Sequence, residues 1–177
     1  SLNLRCTVAL VDIDPRTFTL CPDAVEKAIV PGRTRAIMPV HLGGQPCDMA
    51  SINAIAKEHG LVVIEDCAQA HGATCDGRPV GGLGDVAAFS FQSSKNLCSG
   101  EGGAVTSDDT ATYHRAAGLM NSGRMPEGER WEYPRVGWNY RPSEYLAALL
   151  MLRLDDLESQ TQRRTQMADY LSQQICA

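Results

Sequence analysis

No apolar run in this sequence approaches the roughly 18 residues that a membrane-spanning helix needs, which excludes a helical span. No segment of signal-peptide type opens it either. The seven cysteines, Cys6, Cys21, Cys47, Cys67, Cys75, Cys98 and Cys176, contain no CxxC pair. A zinc knuckle and a thioredoxin-like site are therefore unsupported, and no metal is expected. The cysteine count is odd, and Cys6 and Cys67 sit in apolar runs as small hydrophobes do. A reducing compartment, the cytoplasm, is the expected location. Clustered positive charge is also missing. There are 16 Lys+Arg against 21 Asp+Glu, a formal net charge of -5, and Arg163-Arg164 is the one adjacent basic pair. That balance argues against a nucleic-acid surface. The first apolar run is followed by Asp12-Ile13-Asp14-Pro15 rather than GxGxxG, so a dinucleotide-binding fold is excluded. There is no internal repeat and no low-complexity tract.

What remains is an ordinary globular composition, 44% hydrophobic and 21% charged over 177 residues, enough for one domain with a core. Residues 6–13 read as a short apolar strand. A helix follows from Pro22, suited to a first turn, and Pro31-Gly32 ends it. Ala36 to Leu42 is the next strand, weakened by Pro39, which lacks a ladder donor. Asp48 is a cap for a helix reaching about His59, with Gly60 as its stop. Leu61-Val62-Val63-Ile64-Glu65-Asp66 has the pattern of a buried parallel strand that ends at a polar rim. The alternation predicts an α/β fold. Ala87 to Phe91 gives another strand, and Gly100-Glu101-Gly102-Gly103 turns into Ala104-Val105-Thr106. Asp108 is expected to cap a helix through about Gly118, and residues 119–140 to form an extended loop. From Ser143 apolar residues at 146, 149, 150, 154 and 157 predict a long helix, with a break near Ser159.

Two residues stand where chemistry is placed in such folds. Asp66 ends a buried strand, the edge at which open α/β sheets bind ligands, although a cap or ion-pair role is the plainer alternative. Lys95 lies in a loop after a strand, near Ser90, Ser93 and Ser94 and before the glycines at 100, 102 and 103, which let backbone approach a ligand.

These segments carry a resemblance. Asp66-Cys67-Ala68-Gln69-Ala70-His71-Gly72-Ala73, Phe89-Ser90-Phe91, Lys95-Asn96-Leu97 and Gly100-Glu101-Gly102-Gly103-Ala104-Val105 resemble the DegT/DnrJ/EryC1/StrS family of sugar aminotransferases. So do Pro39-Val40-His41-Leu42, Gly43, Gln45-Pro46, Asp48, Gly137-Trp138-Asn139-Tyr140-Arg141 and Ser143-Glu144. The resemblance implies a pyridoxal 5'-phosphate (PLP) enzyme of the aspartate-aminotransferase fold. Its large domain is a three-layer α/β/α unit with a mostly parallel sheet, here incomplete. Residues 1–142 would be the central part of that domain, and 143–177 a helical segment leading toward a small C-terminal domain. Lys95 resembles the lysine that forms a Schiff base with PLP, and Asp66 the carboxylate that bonds the pyridine nitrogen. Gln69 resembles the residue near the ring, and Ser90 a phosphate ligand. Asn139 resembles the asparagine that a neighbouring subunit lends to the phosphate, so a homodimer is implied. His71, Glu101 and His41 are possible supporting residues. Family members with histidine at the lysine position dehydrate instead; Lys95 favours amino transfer. Pro142 stands where many relatives have methionine, and it fits a helix's first turn.

The implied reaction moves an amino group from glutamate or glutamine to a keto group of a nucleotide-linked sugar. A keto-cyclitol is the alternative acceptor, and a truncated binding subunit the non-catalytic alternative. Relatives run to roughly twice this length, with a phosphate loop before the matched region and a small domain after it. Both ends read as cut, and this chain alone is expected to be poorly active.

Overall fold

The computed structural model describes residues 4–129 and 131–175. It divides into two compact units, Ser1–Phe89 with Val105–His114, and Ser90–Ala104 with Arg115–Ala177. The secondary structure is mixed α/β. None of the described helices is long and apolar enough to cross a membrane.

The first unit is built on a sheet. Strand β1 (Ala36–Ile37) pairs in parallel with β2 (Val62–Asp66), and β2 in parallel with β5 (Val86–Ser90). With β6 (Gly103–Thr106) the order is β1-β2-β5-β6. Helices α1 (Pro22–Ala28) and α2 (Met49–His59) pack together, and α2 lies on β1 and β2. Its buried residues Met49, Ile52 and Ala56 recur at helical spacing and meet Val25, Ile37, Cys47 and Val63 in one apolar cluster. A second cluster joins Cys67, Ala70, Val80 and Ala87. Both ends of α2 agree with the sequence reading. Asp48 accepts from the Ser51 amide at 3.0 Å, and Gly60 stops the helix in the left-handed conformation at φ 63.

Three sequence expectations change. Residues 6–13 form no strand: Ile13 alone bridges to Leu20, and Leu10 is 92% exposed. A strand exists only through a ladder, and no described neighbour offers one. Second, Asp109 rather than Asp108 caps α3 (Thr110–Met120), accepting from the Thr112 amide at 2.7 Å. The helix also continues past Gly118, because that glycine is buried against the Arg135 side chain instead of ending it. Third, the glycine-rich middle contains a hairpin, β3 (Thr74–Cys75) with β4 (Arg78–Pro79). Asp76 and Gly77 both have positive φ, as a primed two-residue turn requires. The strand expected over Ala36 to Leu42 is also shorter, only Ala36–Ile37 with a further bridge at Val40, although the Pro39 carbonyl still accepts from the Asp66 amide at 2.8 Å.

In the second unit α4 (Glu144–Asp155) starts at Ser143, whose hydroxyl accepts from the Leu146 amide. It breaks at Asp156 before α5 (Leu157–Ile175), close to the expected position. Among the described residues of 119–140 the expected loop is present, apart from the last turn of α3 and a bridge between Asn121 and Asn139.

One carboxylate ties the first unit together. Glu65 is fully buried. Its Oε1 accepts from the amides of Leu83 at 2.8 Å and Gly84 at 2.7 Å. Its Oε2 accepts from the Gly81 amide at 2.9 Å and meets His41 Nε2 at 3.0 Å. Gly81 has φ +91, and a side chain there would strike the Phe89 ring. Burial alone would raise the Glu65 pKa. The bonds from His41, Gly81, Gly84 and Leu83 outweigh it and lower the value from 4.5 to about 2.

The sign of the pH effect is set by that depression. A depressed carboxylate stabilises the fold above its unfolded pKa and loses that contribution as pH falls through the folded one. The window runs from 4.5 down to about 2. A shift of this size corresponds to about 3 kcal/mol. E65Q has one acceptor oxygen where four donors converge, so it is expected to lose about 2–4 kcal/mol at neutral pH. Urea unfolding of both proteins across that window checks this: the gap between them should shrink as the solution is acidified. A gap that holds constant down to pH ~2 contradicts the assignment.

Candidate functional site

Strand β2 delivers Glu65 and Asp66 as neighbours with opposite fates. Side chains alternate along a strand. Glu65 turns inward and is saturated, while Asp66 is half-buried at the strand's C-terminal end. Asp66 Oδ1 accepts from the Ala68 amide at 3.0 Å, which folds the chain sharply after the strand. Among the described residues no lysine or arginine forms an ion pair with Asp66. The turn places Gln69 at the surface, where its Oε1 accepts from the Gly43 amide at 2.8 Å. Gln69 thereby holds the short helical turn Leu42–Gly44 that comes after His41. His71 is buried, with its ring 5.5 Å from that of Phe89.

His41 is fully buried between Glu65 and the Cys47 amide, which donates to Nδ1 at 3.1 Å. Burial disfavours a charged ring, while the bond to Glu65 favours one. The contact at Nδ1 decides between these influences. A nitrogen that accepts from an amide carries no proton. Neither neighbouring sulfur offers a negative charge: burial raises the Cys67 thiol, and the Cys47 thiol donates to the Val40 carbonyl at 3.2 Å. We therefore assign a neutral His41 with its proton on Nε2, donated to Glu65.

His41, Glu65 and Cys67 have potential metal-ligand atoms within 4.8 Å of one another. They do not form a metal centre. Four hydrogen bonds occupy the four lone-pair directions of the Glu65 carboxylate, and Nδ1 of His41 is occupied as well.

The second unit holds Ser90, Lys95, Glu101 and Asn139. The chain around Lys95 is a closed loop. The Phe91 amide donates to Gly102, the Ser99 amide donates to Phe91, and Gln92 bridges to Gly100. Leu97 in this loop is buried, at 4% exposure. Gln92 organises its outer turn: its carbonyl accepts from the Lys95 amide at 3.0 Å, and its Oε1 accepts from the Ser94 amide and hydroxyl. Ser90 Oγ accepts from the Gln92 amide at 3.3 Å, which leaves its own O–H available to donate. Glu101 is exposed, and its carbonyl accepts from the Ser99 hydroxyl at 3.0 Å. Asn139 is exposed in a short extended segment that bridges to Asn121.

The chain has three lysines. Lys27 and Lys57 are exposed in the last turns of α1 and α2, where the helix field favours a cation. Lys95 alone is half-buried in a loop, and no described carboxylate forms an ion pair with it. The sequence reading missed Glu65 and Gln92. The acidic pair at the end of β2 was a signal for the first, because period-two alternation sends one of two adjacent acids inward. Nothing local marks Gln92.

The model of the DegT/DnrJ/EryC1/StrS aminotransferase family matches residues 2–177. An L-glutamine:scyllo-inosose aminotransferase from Streptomyces griseus is 44% identical over 183 residues, covering 98% of this chain and 43% of that protein. A dTDP-3-amino-3,4,6-trideoxy-alpha-D-glucose transaminase from Streptomyces venezuelae is 47% identical over 156 residues, covering 87% and 40%. Among solved structures, Spr1654 of Streptococcus pneumoniae in its PLP-form superposes with a TM-score of 0.84 at 28% identity, covering 95% of this chain and 48% of that one. The chain thus spans less than half the length of these relatives. The match runs through the Asp66 turn, the Lys95 loop and the Asn139 segment alike, and the chain belongs to the DegT/DnrJ/EryC1/StrS aminotransferase family.

Proposed function

We propose that the protein to which this chain belongs is a PLP-dependent aminotransferase that aminates a keto group of a nucleotide-linked sugar. Lys95 is the residue that carries the cofactor. The observation that supports this most strongly is the half-buried Lys95 in its hydrogen-bonded loop, within a chain matched to the family from end to end. A keto-cyclitol acceptor is the second reading, favoured by the 44% identity to the scyllo-inosose enzyme.

The donor set suits the cofactor. Asp66 offers a half-buried carboxylate without a lysine or arginine partner among the described residues, at the end of a parallel strand, a suitable place for a cationic ring nitrogen. Ser90 has a hydroxyl proton to donate to a phosphate. Lys95 has an amine that no described carboxylate holds as an ammonium. Bound there, PLP supplies an electron sink for the amino-acid carbanion.

The chain's own residues would divide the remaining work. Asp66, as an ionised carboxylate, keeps the ring nitrogen protonated and so strengthens the sink. The Lys95 amine would hold the cofactor in its neutral form, and its Nζ would take and return the proton that moves during transfer. Gln69 fixes the turn after His41 through Gly43, and it is the residue that would face the bound ring. Ser90 donates to the phosphate, and Asn139 reaches the phosphate held by a second copy, so the working unit is a homodimer. His71 and His41 support the site by packing and hydrogen bonding, and Glu101 orders the turn after Lys95. We assign residues 1–142 to the cofactor-holding domain and 143–177 to the helical segment that leaves it. The amino donor is glutamate or glutamine, and the cytoplasm is the proposed location.

Borohydride reduction of the PLP-loaded full-length protein, followed by peptide mass mapping, tests the central assignment. The expected label is on Lys95; label on any other lysine defeats it. D66N is expected to keep the bound cofactor's mass and lower kcat roughly 10²-fold or more, the scale of losing a placed charge. An unchanged kcat removes Asp66 from the mechanism. Assaying keto-sugar nucleotides and keto-cyclitols side by side, with L-glutamine and L-glutamate as donors, selects between the two acceptor readings.

A further inference from the structure

We infer that Asn121, at the end of α3, is a positioning residue for Asn139. The inference rests on the reading of Asn139 given above.

The last carbonyls of a helix lack partners within the helix. In α3 two of them are taken by the segment that carries Asn139. The Trp138 amide donates to Leu119 at 2.6 Å, and the Tyr140 amide donates to Met120 at 2.9 Å. A third bond returns from the Ser122 amide to the Trp138 carbonyl at 2.7 Å. Asn139 is therefore held on both sides by the end of one helix. To allow this, Ser122 adopts φ 59, a strained conformation for a residue with a side chain.

Side chains alternate along the extended segment. Trp138 and Tyr140 share one side, and their rings stack at 6.1 Å. Asn139 and Arg141 occupy the other by the same alternation. Asn121 is the antiparallel bridge partner of Asn139. Its Oδ1 accepts from Arg141 Nη1 at 2.7 Å, and the Ser122 hydroxyl lies 3.5 Å from the same nitrogen. One amide oxygen thus fixes the guanidinium that shares a side with Asn139, while the backbone of the same residue fixes the register. Without it Arg141 is free to swing toward Asn139 and compete for it.

A double-mutant cycle on PLP affinity tests this, using absorbance titration of the full-length protein. N139A and N121A are each expected to raise the PLP Kd roughly tenfold, the scale of one charge-assisted hydrogen bond. A residue that acts through Asn139 has nothing left to position once Asn139 is gone. The double variant should therefore match N139A within about twofold. N121D keeps the acceptor oxygen and is expected within about twofold of wild type, which keeps the test open should N121A not fold. Wild-type affinity in N121A, additive losses in the double variant, or a tenfold loss in N121D overturns the proposal while the role of Asn139 stands. Wild-type affinity in N139A overturns both.

Discussion

The first unit depends on a buried carboxylate that has no free lone pair. Glu65 receives three backbone amides from the Gly81–Gly84 stretch and one imidazole from the end of the β1 region. Taking a carboxylate out of water costs several kcal/mol, and only a full set of donors offsets it. Here the donors come from two segments distant in sequence. The charge therefore acts as a register mark: β2 can pair with β1 and β5 in one alignment only, or Glu65 is buried without its partners. That alignment puts Asp66 opposite Ala88 at the strand end.

His41 completes the arrangement by being neutral. Its two nitrogens do different things, one donating to Glu65 and one accepting from Cys47. The tautomer is thereby locked, and the loop from Leu42 to Cys47 is drawn against the strand end. Gln69 then binds that loop from the other side through Gly43. The chain that leaves Asp66 and the chain that leaves His41 are thus held to each other by side chains. Beyond the two residues of β1, backbone pairing also resumes at a parallel bridge between Val40 and Asp66, where the His41 amide donates to the Asp66 carbonyl at 3.1 Å, so the His41 turn is held by backbone and side chains together.

Most of this frame was legible in the sequence because its signals are local. Pro22 and Gly60 mark helix ends through their backbone and Asp48 through its side-chain carboxylate, and each does so in the structure. The run from Leu61 to Asp66 announced the parallel strand in the same way, although only Val63 and Glu65 in it are fully buried and Val62 is exposed. The errors fall where the deciding partner is remote or where two readings were equally local. Residues 6–13 have the composition of a strand but no ladder partner apart from the bridge at Ile13. Asp108 and Asp109 are equivalent as caps on paper, and Ser107, whose hydroxyl donates to the Asp85 carbonyl and lies 3.2 Å from the Asp109 amide, accompanies the second. Asp76-Gly77 was a readable hairpin turn inside a stretch read only as glycine-rich. The roles of Glu65 and Gln92 were not readable, because both are defined by the groups that converge on them.

The exposure of the candidate residues obeys the same physics. Glu65 and His41 are fully buried and fully bonded, so neither can release a partner without destabilising the fold. Asp66, Ser90 and Lys95 are half-buried, and Gln69 and Asn139 exposed. A group that must hold a ligand needs a lone pair or a proton that the protein has not already used. A group that must hold the backbone needs the reverse. Adjacent positions on one strand meet both demands because side chains alternate. Glu65 spends its charge on the scaffold, and its neighbour Asp66 keeps its own for whatever binds at the strand end. Exchanging the two residues would conserve composition and charge, yet it would place the shorter side chain at the inward position, out of reach of the Gly81–Gly84 amides, and leave those donors buried without an acceptor.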